Sequence, residues 1–207
     1  MTRGRFITLE GIEGAGKSTA ARFVGEWLRD RGITAQLTRE PGGTPLAESI
    51  RKIVLERGEE TIPPASETLL MFAARGVHLE NLVRPTLNKG EWVICDRFTD
   101  ATRAYQGAGR GVSRELIETL ADATHADLQP DCTLLLDLPV QLGLERARKR
   151  GQAVDRFESE REQFFERVRA AYLELAQREP QRISIVDASA PLEDVKAQIA
   201  AVLARGF

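Results

Sequence analysis

The sequence has few cysteines, few histidines and no long apolar run, and each shortage excludes a class of protein. Two cysteines and two histidines among 207 residues cannot form a disulfide framework and do not easily make a structural zinc site. No apolar stretch approaches the ~20 residues of a membrane helix, and the run after the N-terminus stops at Glu10, too early for a signal peptide. We therefore expect a cytoplasmic protein in which Cys95 and Cys132, each inside an apolar run, are buried free thiols.

An excess of charge of one sign is also lacking. The chain carries 29 basic and 31 acidic residues, a net charge of −2. This balance argues against a protein held on nucleic acid mainly by counterion release. Its composition, 42% hydrophobic and 29% charged, is typical of an ordinary globular chain without long disorder. We expect a single domain over residues 1–207.

Short apolar runs alternate with longer helical patterns along the chain. Several runs are apolar on both faces, as in a parallel sheet covered on both sides. The alternation predicts an α/β fold, a three-layer α/β/α sandwich with a five-stranded parallel sheet. Ser66 and Ser113 are expected helix N-caps, while Gly32 and Gly90 are expected to end helices. The predicted strands are 6–9, 35–38, 92–95, 133–138 and 183–186, and the predicted helices are 17–31, 46–57, 66–87, 113–123, 140–150, 160–178 and 192–204.

The strongest motif is a phosphate-binding loop that matches G-x-x-x-x-G-K-[ST]. It follows a predicted strand and opens a predicted helix, which is the context that the motif requires. Glycines let backbone N–H groups turn inward as an anion nest, and the helix N-terminus adds its dipole. Lys17 would reach the β- and γ-phosphates, and Ser18 would offer its hydroxyl to Mg²⁺. The predicted ATP-binding residues are Gly11, Ile12, Glu13, Gly14, Ala15, Gly16, Lys17, Ser18 and Thr19.

The nucleotide is expected to be ATP and not GTP. A GTPase would carry Asn-Lys-x-Asp after a late strand to read guanine. This chain has Asn88-Lys89-Gly90-Glu91 instead, which ends differently and precedes a strand. That segment predicts the C-terminus of a helix and a turn.

Three arginines are expected to converge beside the phosphate-binding loop. Arg39 and Arg97 follow the second and third predicted strands, and the carboxyl ends of strands are where open α/β sheets bind ligands. Arg51 lies in the next predicted helix. The planar guanidinium suits a phosphate group, so three of them fit an acceptor that already carries a phosphate. Surface ion pairs are the alternative, most of all for Arg51 in mid-helix.

Four segments together closely resemble the bacterial thymidylate kinase family in order and spacing. They are the phosphate-binding loop with Glu13, Arg39-Glu40-Pro41-Gly42-Gly43-Thr44, Asp96-Arg97-Phe98 followed by Ala-Tyr-Gln-Gly-x-Gly-Arg-Gly at 104–111, and the arginine-rich segment 146–158. The resemblance covers about residues 5–200, and 39–44 and 105–111 are its specific parts. It implies a P-loop NTPase fold of the nucleoside monophosphate kinase type, with a short lid at about 146–158. It also implies Mg²⁺, a homodimer, and phosphoryl transfer from ATP to dTMP that yields ADP and dTDP.

The resemblance further implies how dTMP binds. Phe72 would stack on the thymine ring and Arg75 would bind its carbonyl edge, although helical counting leaves Met71 as an alternative stacking residue. Thr102 and Gln106 would contact the base or its surroundings. Tyr105 would crowd the 2′ position and favour deoxyribose. The implied substrate-binding residues are Glu13, Arg39, Glu40, Pro41, Arg51, Phe72, Arg75, Arg97, Thr102, Tyr105 and Gln106.

The same resemblance assigns the metal and the catalytic cations. Glu13 would lie near the 3′-OH and the metal. Asp96 would join Ser18 near Mg²⁺, or else orient Arg97 as a buried carboxylate. One layout of the family has a catalytic arginine where this chain has Gly14, and the other supplies arginines from the lid, as expected here. The implied catalytic residues are Lys17, Arg97, Arg148, Arg150 and Arg156.

A phosphate acceptor requires no general base, because its oxygen is already anionic at neutral pH. Catalysis then consists of positioning, charge neutralisation and exclusion of water, and His78 and His125 are expected to be structural. A deoxynucleoside kinase is a rival, and Glu40 could serve it as the base that deprotonates a hydroxyl. Other rivals are a nucleoside monophosphate kinase with a different base pocket and, less favoured, a nucleotide-dependent switch without an acceptor.

Overall fold

Five parallel strands form the centre of the protein, in the order β2-β3-β1-β4-β5. The computed structural model describes residues 3–55, 60–149 and 158–206. β1 is completely buried, because helices cover both of its faces. It pairs with β3 on one side and with β4 on the other. The strands are β1 Phe6–Glu10, β2 Ala35–Arg39, β3 Trp92–Asp96, β4 Cys132–Asp137 and β5 Ile183–Asp187.

The predicted helices lie between these strands. The prediction missed one helical segment, 99–109, because its glycine-rich end is typical of a loop. A π-helical stretch, Leu79–Val83, joins α3 to α4, and another, Arg103–Gly109, follows α5. The α-helices are α1 Lys17–Arg29, α2 Pro45–Leu55, α3 Pro64–His78, α4 Arg84–Asn88, α5 Thr99–Thr102, α6 Arg114–His125, α7 Val140–Arg148, α8 Glu158–Arg178 and α9 Leu192–Gly206.

Three of the four predicted helix boundaries are confirmed. Ser113 caps α6 by accepting a hydrogen bond from the Leu116 N–H, and Gly32 and Gly90 follow helix ends with φ of 73° and 80°. The predicted N-cap at Ser66 is wrong. The helix begins at Pro64, because proline has its φ set for the first helical position and lacks the N–H that would be unsatisfied there.

Neighbouring strand residues pack into different layers, since successive side chains point to opposite faces of a sheet. Phe6 and Val93 pack with Leu79 in one buried cluster. Ile7 and Ile94 pack in another, with α1, α8 and α9. These contacts confirm the predicted α/β/α layers.

Cys95 and Cys132 are buried free thiols, as predicted. Every helix in the described ranges is too short or too polar to span a bilayer.

Candidate active site

The phosphate-binding loop leaves β1 at Gly11 and enters α1 at Lys17. Gly14 has a φ of 79°, and a Cβ atom added there would lie 2.0 Å from the carbonyl oxygen of Gly143. A Cβ at Gly143 would in turn lie 2.6 Å from the carbonyl oxygen of Glu13. The loop and the first turn of α7 therefore pack backbone against backbone, and a side chain at position 14 has no room.

Lys17 is buried at the centre of this loop, with 8% of its surface exposed. Its Nζ donates to the carbonyl oxygens of Gly11 and Ile12, each at 3.0 Å. Burial, and next the positive charge of Arg97, lower the pKa of Lys17 to about 7. An anionic phosphate beside Nζ would favour the charged ammonium again.

Ser18 and Asp96 meet at the carboxyl end of the sheet. The Ser18 hydroxyl, in the first turn of α1, donates to Asp96 Oδ2 at 3.3 Å. Asp96 is the last residue of β3. A hydroxyl and a carboxylate are hard oxygen ligands of the kind that Mg²⁺ prefers, so these two residues fit the metal that the sequence implies.

A cleft of about 410 Å³ opens beside the loop. Arg51 Nη1 donates to the Pro41 carbonyl at 2.7 Å, so a hydrogen bond within the cleft fixes this side chain. Arg39 forms an ion pair with Glu48 at 2.9 Å and is half exposed, which matches the alternative interpretation of a surface pair. The cleft is lined by Glu13, Gly14, Gly16, Lys17, Ser18, Arg39, Glu40, Arg51, Asp96, Arg97 and Ala147.

Arg97 enters the cleft from a strained turn. Its φ of 75° lies in the left-handed region, which costs a non-glycine residue of order 1 kcal/mol. The backbone N–H of Arg97 donates to the Leu9 carbonyl at 2.9 Å. Its Nη2 donates to the Tyr105 hydroxyl at 3.0 Å. These contacts fix the direction of the guanidinium before any ligand binds.

Glu10 supports the same turn and was missed by the sequence analysis. Its Oε1 accepts from the Phe98 N–H and its Oε2 from the Tyr172 hydroxyl, both at 2.7 Å. Burial raises the pKa of the Glu10 carboxyl to about 8, and the nearby Asp100 adds to this effect. An acidic residue that closes an otherwise apolar strand was the available signal.

Glu40 and Arg75 form a buried ion pair behind the cleft. Arg75 Nε donates to Glu40 Oε2 at 2.7 Å, and His78 Nδ1 lies 2.9 Å from Oε1. Burial would raise the pKa of Glu40, but the Arg75 guanidinium and His78 hold it below the ordinary value. Glu40 thus positions Arg75 and is poorly suited to accept a proton.

Glu40, His78 and Cys95 lie close enough together to suggest a metal site. Their ligand atoms are already engaged, however. His78 Nε2 lies 2.8 Å from Thr38 Oγ1, and the Cys95 thiol donates to the Arg97 carbonyl at 3.1 Å. The cluster is therefore a buried hydrogen-bond network. His125 is also buried and hydrogen-bonded, at 2.7 Å from Thr99 Oγ1, so both histidines occupy structural positions.

Phe72, the predicted stacking partner of the thymine ring, is a buried residue of α3. The ring is 3% exposed and packs against Ile117 and Ala121 in a small core cluster. It also stacks on His125, with ring centroids 6.4 Å apart. Phe72 thus packs among core side chains, and its stacking on the base stays a prediction. The neighbouring Met71 is partly exposed.

The other predicted base and sugar contacts lie on the helical segment 99–109. Thr102 and Gln106 are buried, and Arg75 Nη2 donates to Thr102 Oγ1 at 3.1 Å. Tyr105 packs edge-on against Phe164, Phe165 and Tyr172. This aromatic wall on α8 was also missed, because helical spacing alone does not distinguish it from ordinary core.

The arginines predicted to lie in a lid fall partly outside the described residues. Arg148 is the exposed last residue of α7, whereas Arg150 and Arg156 lie outside the described ranges. Further along the chain, Arg161 on α8 donates to Glu13 Oε2 at 3.0 Å. That ion pair joins α8 to the phosphate-binding loop and was not predicted.

A second cavity, of about 250 Å³, lies on the other side of the loop. Its lining combines α1 residues such as Thr19 and Phe23 with α9 residues such as Lys196. Arg146 borders it and donates to the Ala188 carbonyl at 2.8 Å. Arg146 was predicted only as a member of the arginine-rich segment 146–158.

Comparison with known proteins agrees with this geometry. The family model for thymidylate kinase matches residues 9–199. A thymidylate kinase from Alkalilimnicola ehrlichii is 58% identical over 204 residues, which cover 99% of this chain and 94% of the relative. One from Pseudomonas savastanoi is 52% identical over 200 residues, with coverage of 97% and 95%. The crystal structure of thymidylate kinase from Ehrlichia chaffeensis, 31% identical, matches with a TM-score of 0.79 over 98% of both chains. A phosphate-binding loop that faces an arginine-lined cleft thus occurs in a chain that belongs, over nearly its whole length, to the thymidylate kinase family.

Proposed function

We propose that the cleft transfers the γ-phosphoryl group of ATP to dTMP and releases ADP and dTDP. One observation carries this proposal in particular. Lys17 and the guanidinium groups of Arg51 and Arg97 line a single cleft at the carboxyl ends of the strands. These cations would bind two phosphorylated ligands within one reaction space.

The ATP phosphates would bind in the loop, where Lys17 exchanges its carbonyl partners for phosphate oxygens. The adenine would enter the 250 Å³ cavity, which shares Gly16 with the phosphate cleft. Arg146 would border the ring, because a planar guanidinium stacks well on aromatic faces.

The acceptor phosphate would bind Arg97 and Arg51. Both are directed by contacts already present, with Tyr105 and with the Pro41 carbonyl. A phosphate oxygen is the nucleophile, so no base is needed. The rival nucleoside kinase would need one, and Glu40 has a lowered pKa and both oxygens engaged. The acceptor therefore carries a phosphate.

Ser18 and Asp96 would hold Mg²⁺. When bound, the ion neutralises charge on the phosphates of ATP. The Ser18–Asp96 hydrogen bond of 3.3 Å keeps the two oxygen donors together. Glu13, which lines the same cleft, would face the sugar of the acceptor, and Phe72 would stack on the base, with Met71 as the alternative.

We further propose that residues 146–158 form the lid of a single domain and supply the remaining cations. Gly14 has no room for a side chain, as its contact with Gly143 shows. An arginine cannot come from that position, so Arg148, Arg150 and Arg156 are the candidates to neutralise the transferring phosphoryl group. Replacement of each by alanine should lower kcat more than affinity for the one that touches the transition state.

The proposed homodimer would use α2 and α3. Large apolar side chains are exposed on both helices, namely Leu46, Ile53, Leu55 and Leu69, at 51–59%. Apolar groups grouped in this way commonly mark an interface. Sedimentation velocity tests this proposal, and a purely monomeric protein at micromolar concentration would contradict it.

The reaction is tested by ADP release from ATP with dTMP, dUMP, UMP, CMP, AMP, thymidine or no acceptor. We expect turnover with dTMP far above all others. A preference for thymidine would favour the nucleoside kinase. Equally slow hydrolysis of ATP in every sample would contradict the proposal of an acceptor site. Lys17→Ala should nearly abolish turnover, and the exposed Lys89→Ala serves as the matched control.

A further inference from the structure

A buried polar cluster lies where α3 meets the helical segment 99–109. Gln106 Nε2 donates to Glu67 Oε1 at 2.7 Å. The other carboxylate oxygen, Oε2, pairs with Arg110 Nη1 at 2.7 Å. Glu67 and Gln106 are 7% and 3% exposed, so water does not take over these contacts.

Two atoms in this region lack a hydrogen-bond partner within the described ranges. They are Arg75 Nη1 and Gln106 Oε1, both buried. One can only donate and the other can only accept. Arg75 contacts Thr102, which precedes Gln106 by about one helical turn. A buried donor and a buried acceptor that remain unpaired on two contacting elements, α3 and the segment 99–109, indicate the place of a third group.

The orientation of the Gln106 amide follows from its partner. A carboxylate accepts and cannot donate, so the NH₂ group of Gln106 must face Glu67. Its carbonyl oxygen is therefore directed away from Glu67 and stays available as an acceptor. Arg110 occupies the other oxygen and keeps Glu67 in place.

We infer that Glu67 is a specificity-determining positioning residue, which fixes Gln106 so that a donor and an acceptor together face the base. Arg75 then donates to a ring carbonyl, and Gln106 accepts from the adjacent imino N–H. Thymine offers that pair of groups, whereas cytosine presents an amino donor and a bare ring nitrogen. The inference rests on the proposed function, in which the base lies against Arg75 and Gln106.

Glu67→Gln tests the inference through base preference. A glutamine at position 67 can donate as well as accept, so the Gln106 amide is free to rotate. We expect the ratio of kcat/KM for dTMP to that for dCMP to fall about tenfold, through a higher KM for dTMP, since an unpaired buried polar group discriminates strongly. The KM for ATP should not change. Glu118→Gln, which breaks the partly buried pair with Arg103, is the control and should keep the wild-type ratio.

The exchanged pair provides a rescue. In Glu67→Gln with Gln106→Glu, the new amide at 67 donates to the new carboxylate at 106, whose second oxygen again accepts from the base. The ratio should return toward the wild-type value, which a merely structural role of Glu67 does not predict. If Glu67→Gln fails to fold, Glu67→Asp keeps the acceptor and should keep the preference for dTMP.

Three outcomes would overturn the inference. If folded Glu67→Gln keeps the wild-type ratio of kcat/KM for dTMP to that for dCMP, Glu67 has no role in specificity, while the proposed function is unaffected. If Glu67→Asp loses the preference for dTMP over dCMP, the inference about Glu67 also fails. A wild-type protein that does not distinguish dTMP from dCMP removes the proposed base site and this inference with it.

Discussion

Glu10→Gln tests whether the buried carboxyl at the end of β1 is neutral in the folded protein. The amide keeps an acceptor for the Phe98 N–H and can donate to the Tyr172 hydroxyl, so both hydrogen bonds survive the change. What changes is the ability of the group to ionise. The variant therefore isolates the pH dependence that burial of this one carboxyl creates.

The magnitude follows from the pKa of Glu10, about 8 in the folded protein against an ordinary 4.5. Folding favours the neutral form. The stability that this group contributes is therefore complete below pH 4.5 and is lost as the pH rises through 8. Each pH unit in that window costs about 1.4 kcal/mol, so from pH 5 to pH 7 the wild type should lose about 3 kcal/mol relative to Glu10→Gln.

The assay is urea unfolding at pH 5, 6 and 7, followed by the fluorescence of Trp27 and Trp92, at equal protein concentration. The range ends at pH 7 because Lys17, with a pKa of about 7, is already half deprotonated there. The exposed Glu26→Gln is the control for the same substitution at the surface. A flat difference for Glu10→Gln would refute the reasoning, because Glu10 would then be ionised in the folded protein at pH 7.

Three further predictions concern the loop, the nucleotide and the core. Gly14→Ala should abolish turnover and lower the melting temperature, because the added Cβ would lie 2.0 Å from a carbonyl oxygen of α7. Normal kinetics of this variant would contradict the prediction. Gly206→Ala is the control, since a Cβ added there has no heavy atom within 4 Å. The protein should take up a proton when it binds ATP at pH 8, because the phosphates raise the lowered pKa of Lys17. Calorimetry in two buffers of different ionisation enthalpy measures this proton uptake. The uptake should be absent in Lys17→Met. Arg182→Met should lower the free energy of unfolding by about 2 kcal/mol without a change in KM for dTMP, because the buried Asp100 loses an ion pair at 2.7 Å and keeps the one with Arg103 at 2.9 Å; an unchanged urea midpoint would argue against it.

The sheet was predictable because each strand is a short apolar run that can be recognised within a few residues. The ends of helices were less predictable than the strands. Ser66 has the composition of a cap, but the preceding prolines begin the helix earlier. The segment 99–109 ends in glycines, yet packing against α8 keeps it helical. The start of α3 is thus set locally by proline, whereas in the segment 99–109 tertiary contacts outweigh the preference of glycine against helix, which is worth only about 1 kcal/mol per residue.

The candidate site divides in the same way. The sequence alone determined the phosphate-binding loop and, through the order of four segments, the family, because residues close in the chain form these motifs. Only the tertiary structure decided that Phe72 packs in the core and that Glu10 binds Tyr172, 162 residues away. It also decided that Gly14 packs on Gly143. Contacts between distant segments depend on how helices pack on the sheet, and no local spacing encodes that packing.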